Sequence, residues 1–119
     1  MDDIAGSYLE LSYPKPRSYQ AKVDRTIDGD TVVLDVDVGF DLTVKAKCRL
    51  ARIKAPELKD PGGYESMMRL KTMLEQSAGE VRVEVRGREK YGRWLSDLYV
   101  SSGICINDLL VKEGFAVYA

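Results

Sequence analysis

Residues 31–50 alternate so cleanly that they can form little besides a β-hairpin. Val32, Leu34, Val36 and Val38 alternate with Val33, Asp35 and Asp37. Gly39-Phe40-Asp41 turns the chain. Leu42, Val44, Ala46, Cys48 and Leu50 then alternate with Thr43, Lys45, Lys47 and Arg49. A period of two sets one apolar row on a buried face and one polar row in water. With Val38 opposite Leu42, Asp35 faces Lys45 and Thr31 faces Arg49. Opposite charges then meet across the ladder, which favours that register. It also brings Arg49 beside the acidic turn Ile27-Asp28-Gly29-Asp30-Thr31, at the mouth of the first of these strands.

The rest of the chain supplies the remaining elements. Tyr19 to Ile27 alternates loosely, with Tyr19, Ala21 and Val23 on one side. Asp60-Pro61-Gly62-Gly63 is a loop. Tyr64 to Ala78 reads as a helix with Tyr64, Met67, Leu70 and Leu74 on one face and Gly79 as its stop. Val81, Val83 and Val85 mark a fourth strand, and Trp94 to Val100 a fifth. Asn107 can cap a short last helix from Asp108 to Glu113, ended by Gly114. This order predicts a mainly β (α+β) fold: a five-stranded OB-fold Greek-key barrel with one main helix and a short C-terminal helix. Residues 1–18 are polar with two prolines and read as a poorly ordered leader arm. Residues 19–119 make one domain, long enough to bury a core.

Composition narrows the chemistry. The chain has no histidine, which removes histidine bases, histidine metal ligands and the usual nucleophilic triads. Its formal net charge is −1, so any attraction to nucleic acid must come from a local patch. No apolar run approaches the ~18 residues of a membrane span. The first residues lack the basic start and apolar middle of a secretory signal, so a cytoplasmic protein is expected; a monomer is assumed. Cys48 and Cys105 are too few to suggest a disulfide scaffold.

Asp28 and Asp30 flank a glycine where a strand begins. Carboxylate oxygens there suit a hard cation, although Asp-Gly is also a common plain turn. Lys45, Lys47, Arg49, Arg52 and Lys54 lie within ten residues. They fit either a phosphate-binding surface or a solubilising strand face, and aiming Arg49 and Lys54 at one groove requires a bulge or twist.

Three blocks in order carry a resemblance. They are Ile27-Asp28-Gly29-Asp30-Thr31, then Arg49 through Glu57, then Gly87-Arg88-Glu89-Lys90-Tyr91-Gly92-Arg93-Trp94-Leu95, with Asn107 through Gly114 behind them. From about Tyr19 to Tyr118 the chain resembles the staphylococcal nuclease (thermonuclease) family. The resemblance implies an OB barrel and calcium-dependent hydrolysis of phosphodiesters in DNA and RNA. Asp30 matches the family's metal-ligand aspartate, and the position of Ala55 lends a backbone carbonyl. Asp28 can tune the site from behind or through water. Glu57 matches the glutamate that positions or deprotonates the attacking water. Arg49 and Arg93 match its two arginines, whose planar forks suit phosphate oxygens. Lys54 and Arg52 can touch substrate phosphate, and Tyr91 and Tyr118 can stack on a base or sugar.

Lys54 departs from the family's pattern, which has a second metal-ligand aspartate there. The exchange removes a carboxylate and adds a positive charge. One unit of repulsion is worth ~4 kcal/mol at ~4 Å and an effective dielectric near ~20. Calcium is therefore expected to be held weakly or lost. The leading expectation is a nuclease-like domain with impaired or altered metal dependence. The alternative is a non-catalytic OB module that binds nucleic acid or a protein.

Overall fold

The computed structural model describes residues 17–119. In chain order the elements are β1 (Arg17–Asp28), β2 (Thr31–Gly39), β3 (Leu42–Leu50), β4 (Ile53–Lys54), α1 (Gly63–Gln76), β5 (Glu80–Arg88), β6 (Trp94–Tyr99), α2 (Ile106–Lys112) and β7 (Val117–Tyr118). Five strands close a barrel in the order β1-β2-β3-β6-β5, and β5 pairs back onto β1. The pairs are antiparallel except β3–β6, where Cys48 meets Trp94 and Leu50 meets Ser96 in parallel. This is the expected Greek-key OB arrangement. The short pair β4–β7 lies outside the barrel. Of the leader arm expected over residues 1–18, Arg17 and Ser18 already belong to β1, and the rest lies outside the described residues.

The hairpin has the expected register over most of its length, with Thr31 opposite Arg49 and Asp35 opposite Lys45. It differs at the tip, where Leu42 pairs with Gly39 instead of Val38. The reason is the turn. Phe40 and Asp41 both take positive φ, 55° and 60°, the geometry of a tight hairpin loop whose twist matches that of the strands. Val38, Leu42 and Val44 are exposed, not buried as their alternation suggests. Beneath them the barrel opens into a cavity of about 370 Å³, lined by Tyr19, Val36, Val44, Ala46, Cys48 and Trp94 among others.

The opposite end is filled. Leu70, Met73 and Leu74 of α1 pack with Val32, Leu34, Leu50, Ile53, Leu98 and, from α2, Ile106 and Leu110. Tyr64, expected on the buried face of the helix, is 60% exposed; Ser66 occupies the buried position instead. Gly63 starts the helix because any Cβ there would lie 1.8 Å from the Glu57 carbonyl oxygen. That contact seats the loop before the helix directly on the helix end.

Asn107 is not the helix cap that its position suggests, since α2 begins one residue earlier. Its fully buried side chain ties three segments together. Its Oδ1 accepts the Leu98 N–H at 3.0 Å. Its Nδ2 donates to the carbonyls of Ala51 and Ser96, both at 3.0 Å, and to Asp97 Oδ1 at 3.1 Å. Asn107→Ala strands those groups without water, at a cost of about 3 kcal/mol. Thermal unfolding should show a fall of roughly 10 °C. Asn107→Asp, which sets a second carboxylate against buried Asp97, should cost more than the alanine.

Candidate functional site

The two acids of the β1–β2 turn do different work. Asp28 accepts the Asp30 N–H at 3.0 Å and so folds the turn on itself. Asp30 turns inward and is 7% exposed. Its Oδ2 accepts the Ala55 N–H at 2.9 Å and lies 3.3 Å from Arg49 Nη1. Its Oδ1 accepts the Thr31 hydroxyl at 3.2 Å. Gly29 makes this possible. A Cβ on it would sit 2.7 Å from the Cβ atoms of both Ala55 and Ser66, inside normal contact. The missing side chain lets the turn press against the segment after β4 and against α1.

Arg49 leaves β3 opposite Thr31 and donates to the Leu50 carbonyl at 2.7 Å as well as facing Asp30. Arg93 arrives from the tight turn between β5 and β6. Glu89 holds its side edge, Nε to Oε1 at 3.2 Å and Nη2 to Oε2 at 3.2 Å. Arg93 Nη1 donates to Thr31 Oγ1 at 3.2 Å. Glu89, Arg93, Thr31, Asp30 and Arg49 thus form one continuous chain of polar contacts, and both arginines converge on the acidic turn.

The other residues singled out from sequence lie apart from that chain. Glu57 is on the exposed loop before α1 and pairs with Lys59 at 3.5 Å. Lys54 is exposed on β4 opposite Val117, in a shallow cleft with Pro56, Glu65 and Phe115. No hydrogen bond or ion pair among the described residues joins either side chain to Asp30, Arg49 or Arg93. Arg52 has φ 69° and engages Asp97 at 3.1 Å and Asp108 at 2.9 Å. Tyr118 donates its hydroxyl to the same Asp108 at 2.9 Å. Tyr91 is 76% exposed at the β5–β6 turn, with Lys90 Nζ 5.0 Å from its ring centre. Ala55 meets the acidic turn through its N–H, not its carbonyl. Thr31 and Glu89, given no role from sequence, are both central. The spacing Glu89…Gly92-Arg93 is the signal that could have found the second, because a glycine-containing tight turn brings its ends together.

Burial pushes the Asp30 carboxyl above its ordinary pKa; the Ala55 N–H and Arg49 pull it back, and Asp28 pushes it further up. The Arg93 guanidinium is raised first by Glu89, with smaller help from Asp30 and Asp28.

The donor set does not fit a resident calcium ion. Among the described residues no three carboxylates, cysteines or histidines converge, and both Asp30 oxygens already carry protein donors. Calcium takes at least ~6 oxygen ligands, and its affinity rises with their charge.

A closed five-stranded barrel with an acid–arginine cluster where β1 hands over to β2 defines an OB-type domain built around a charged turn. The chain belongs to the family described as Staphylococcal nuclease homologue, which residues 47–119 match. It is 33% identical over 96 residues to an "Uncharacterized endonuclease" of Escherichia coli O157:H7, covering 80% of this chain and 58% of that protein. The same identity and coverage hold for an "Uncharacterized endonuclease" of Escherichia coli. It is also 33% identical over 112 residues to "Endonuclease YhcR" of Bacillus subtilis (strain 168), covering 82% of this chain and 9% of that protein. The chain therefore spans little more than half of the first two relatives and a small part of the third.

Two outcomes follow for the turn. A carboxyl whose folded pKa is raised adds stability below the carboxylate range and loses it as pH rises through the folded value. Ionised Asp30 thus works against folding at neutral pH. Asp30→Asn should melt higher than the parent at neutral pH, and the gap should close below about pH 4. A parent that melts higher at every pH would show that Arg49 and Ala55 outweigh burial. Gly29→Ala should cost about 1–3 kcal/mol by overpacking and speed hydrogen exchange at the Ala55 amide as Asp30 is pushed off it.

Proposed function

We propose that this domain acts on the phosphodiester bonds of DNA or RNA, as a nuclease whose metal dependence is impaired or altered by Lys54. The observation that carries the reading is the convergence of Arg49 and Arg93 on one acidic turn. Two guanidinium forks aimed at one turn, Arg49 through Asp30 and Arg93 through Thr31, suit the oxygens of a phosphate. Arg49 would stabilise charge at phosphorus, and Arg93 would contact phosphate and assist the leaving oxygen. Glu57 would orient or deprotonate the attacking water, which requires its loop to bring it toward bound phosphate. Family membership and the endonuclease names of the relatives support the same substrate class.

A second reading has its own observation. Asp30 is already occupied by the Ala55 N–H, Thr31 and Arg49, and Lys54 stands where the family's pattern has an aspartate. A site so arranged can bind phosphate without cleaving it, as a non-catalytic module for nucleic acid.

Lys54→Asp separates the two. In a plasmid-degradation assay with calcium, magnesium, manganese or chelator, the parent should cut slowly at best. The variant should cut faster with calcium, and calorimetry should show tighter calcium binding in the same variant. A parent that already binds calcium tightly and cuts well removes the argument from Lys54. A variant that binds calcium and stays inactive favours the binding module.

A further inference from the structure

Arg93 reaches the site on a very short connection. The Glu89 N–H donates to the Arg93 carbonyl at 2.8 Å, and the Gly92 N–H donates to the Glu89 carbonyl at 2.9 Å. Glu89 therefore sits at the base of the turn from which Arg93 departs. Its Oε1 accepts the Arg93 backbone N–H at 3.0 Å and the Nε–H at 3.2 Å, while Oε2 accepts from Nη2 at 3.2 Å. The carboxylate thus grips both ends of the same residue.

A planar guanidinium has several donor edges in fixed relation. Glu89 consumes the side edge, Nε with Nη2. Thr31 consumes one hydrogen of Nη1. Nη1 and Nη2 each keep a hydrogen for a further acceptor. Those donors lie on the part of the group that has reached Thr31, and Thr31 is 1% exposed and bonded to Asp30. A long arginine side chain otherwise loses much rotamer freedom on binding an anion. Here contacts to Glu89 and Thr31 already restrict that freedom in the folded protein.

We infer that Glu89 is a positioning residue for phosphate recognition: it fixes Arg93 by one edge and presents the other beside Thr31 and Asp30. The inference rests on the proposed phosphate-directed function and adds a residue to it. Glu89 touches no substrate in this scheme and acts only through Arg93. The depressed Glu89 pKa, caused first by the Arg93 side chain, agrees with a carboxylate that stays ionised while it holds the fork.

The test is a double-mutant cycle on binding of a nucleotide bisphosphate, read by calorimetry in Glu89→Gln, Arg93→Ala and the double variant. Glu89→Gln keeps the size, loses the charge and sets an amide N–H₂ against the guanidinium. It should weaken binding about tenfold in the parent, the scale of a lost charge-assisted contact. In the Arg93→Ala background it should weaken binding no further. The Arg93 Nε–H resonance, protected in the parent, should exchange away in Glu89→Gln, while Glu89→Asp should retain part of both signals. Equal weakening in both backgrounds would mean that Glu89 only supports the turn, and overturns the inference. Tighter binding in Glu89→Gln would mean that Glu89 competes with phosphate, and also overturns it. Weakening by Arg93→Ala with none by Glu89→Gln overturns this inference alone. No weakening by Arg93→Ala overturns the phosphate clamp and this inference together.

Discussion

The carboxylate of Asp30 accepts the Ala55 N–H and the Thr31 hydroxyl and faces Arg49, and it does so almost out of reach of water. Each partner comes from a different part of the chain. Ala55 follows β4, Thr31 opens β2, and Arg49 stands near the end of β3. A buried charge without partners is very costly, so these bonds hold the turn, the hairpin end and β4 in one arrangement. Gly29 allows it by leaving out a side chain where Ala55 and Ser66 pack. Arg93 is then hung from the same carboxylate through Thr31, and Glu89 from Arg93. Asp30 and Thr31 thus link two arginines that the β3–β6 pairing, with Arg49 opposite Leu95, already brings to neighbouring positions.

That arrangement is maintained against a cost. Burial raises the Asp30 carboxyl, so its ionised form opposes folding near neutral pH. Other carboxyls run the opposite way. Asp108 is lowered first by Arg52, and Glu113 first by Arg69. Their stabilisation is present above the ordinary carboxylate range and lost as pH falls through the folded values. These pairs are substantially solvated, however, and solvated ion pairs contribute little. The core between α1, α2 and the barrel is therefore what offsets the buried acid. A buried carboxyl whose titration is shifted by burial and by charged neighbours is the pattern that marks a candidate site.

The hairpin was legible because period-two burial and opposite charges agree on one register. Its tip was not, because a tight turn with two left-handed residues makes Gly39 the partner of Leu42 and lifts Val38 out of the ladder. Asn107 has the local signature of a cap, yet its partners are Ala51, Ser96, Asp97 and Leu98. Local rules do not see such tertiary bonds. β4 and β7 are two residues each, too short to carry a period. At the site, Asp30, Arg49 and Arg93 could be picked out by their blocks. Glu89 was legible only through the glycine-containing tight turn that folds it back on Arg93, not from its own residue type. Arg52 could not be placed by alternation, because a left-handed backbone swings it to Asp97 and Asp108.

Charge balance gives Lys54 a second consequence. In the polar chain, Arg49 and Arg93 meet Asp30 and Glu89, so the chain alone carries no positive excess. In the proposed function, an aspartate at position 54 would add a negative charge, and an approaching phosphate would be repelled unless a cation came with it. Lys54 reverses that by two charge units. In the proposed function, the same side chain would take a ligand from the cation site and would also ease the entry of phosphate without a cation. Binding needs only neutralised charge and well-aimed donors. Cleavage also needs an activated water and stabilisation of charge that appears only in the transition state. The lysine can supply part of the first requirement and none of the water activation, so in the proposed function binding and cleavage separate at this one position.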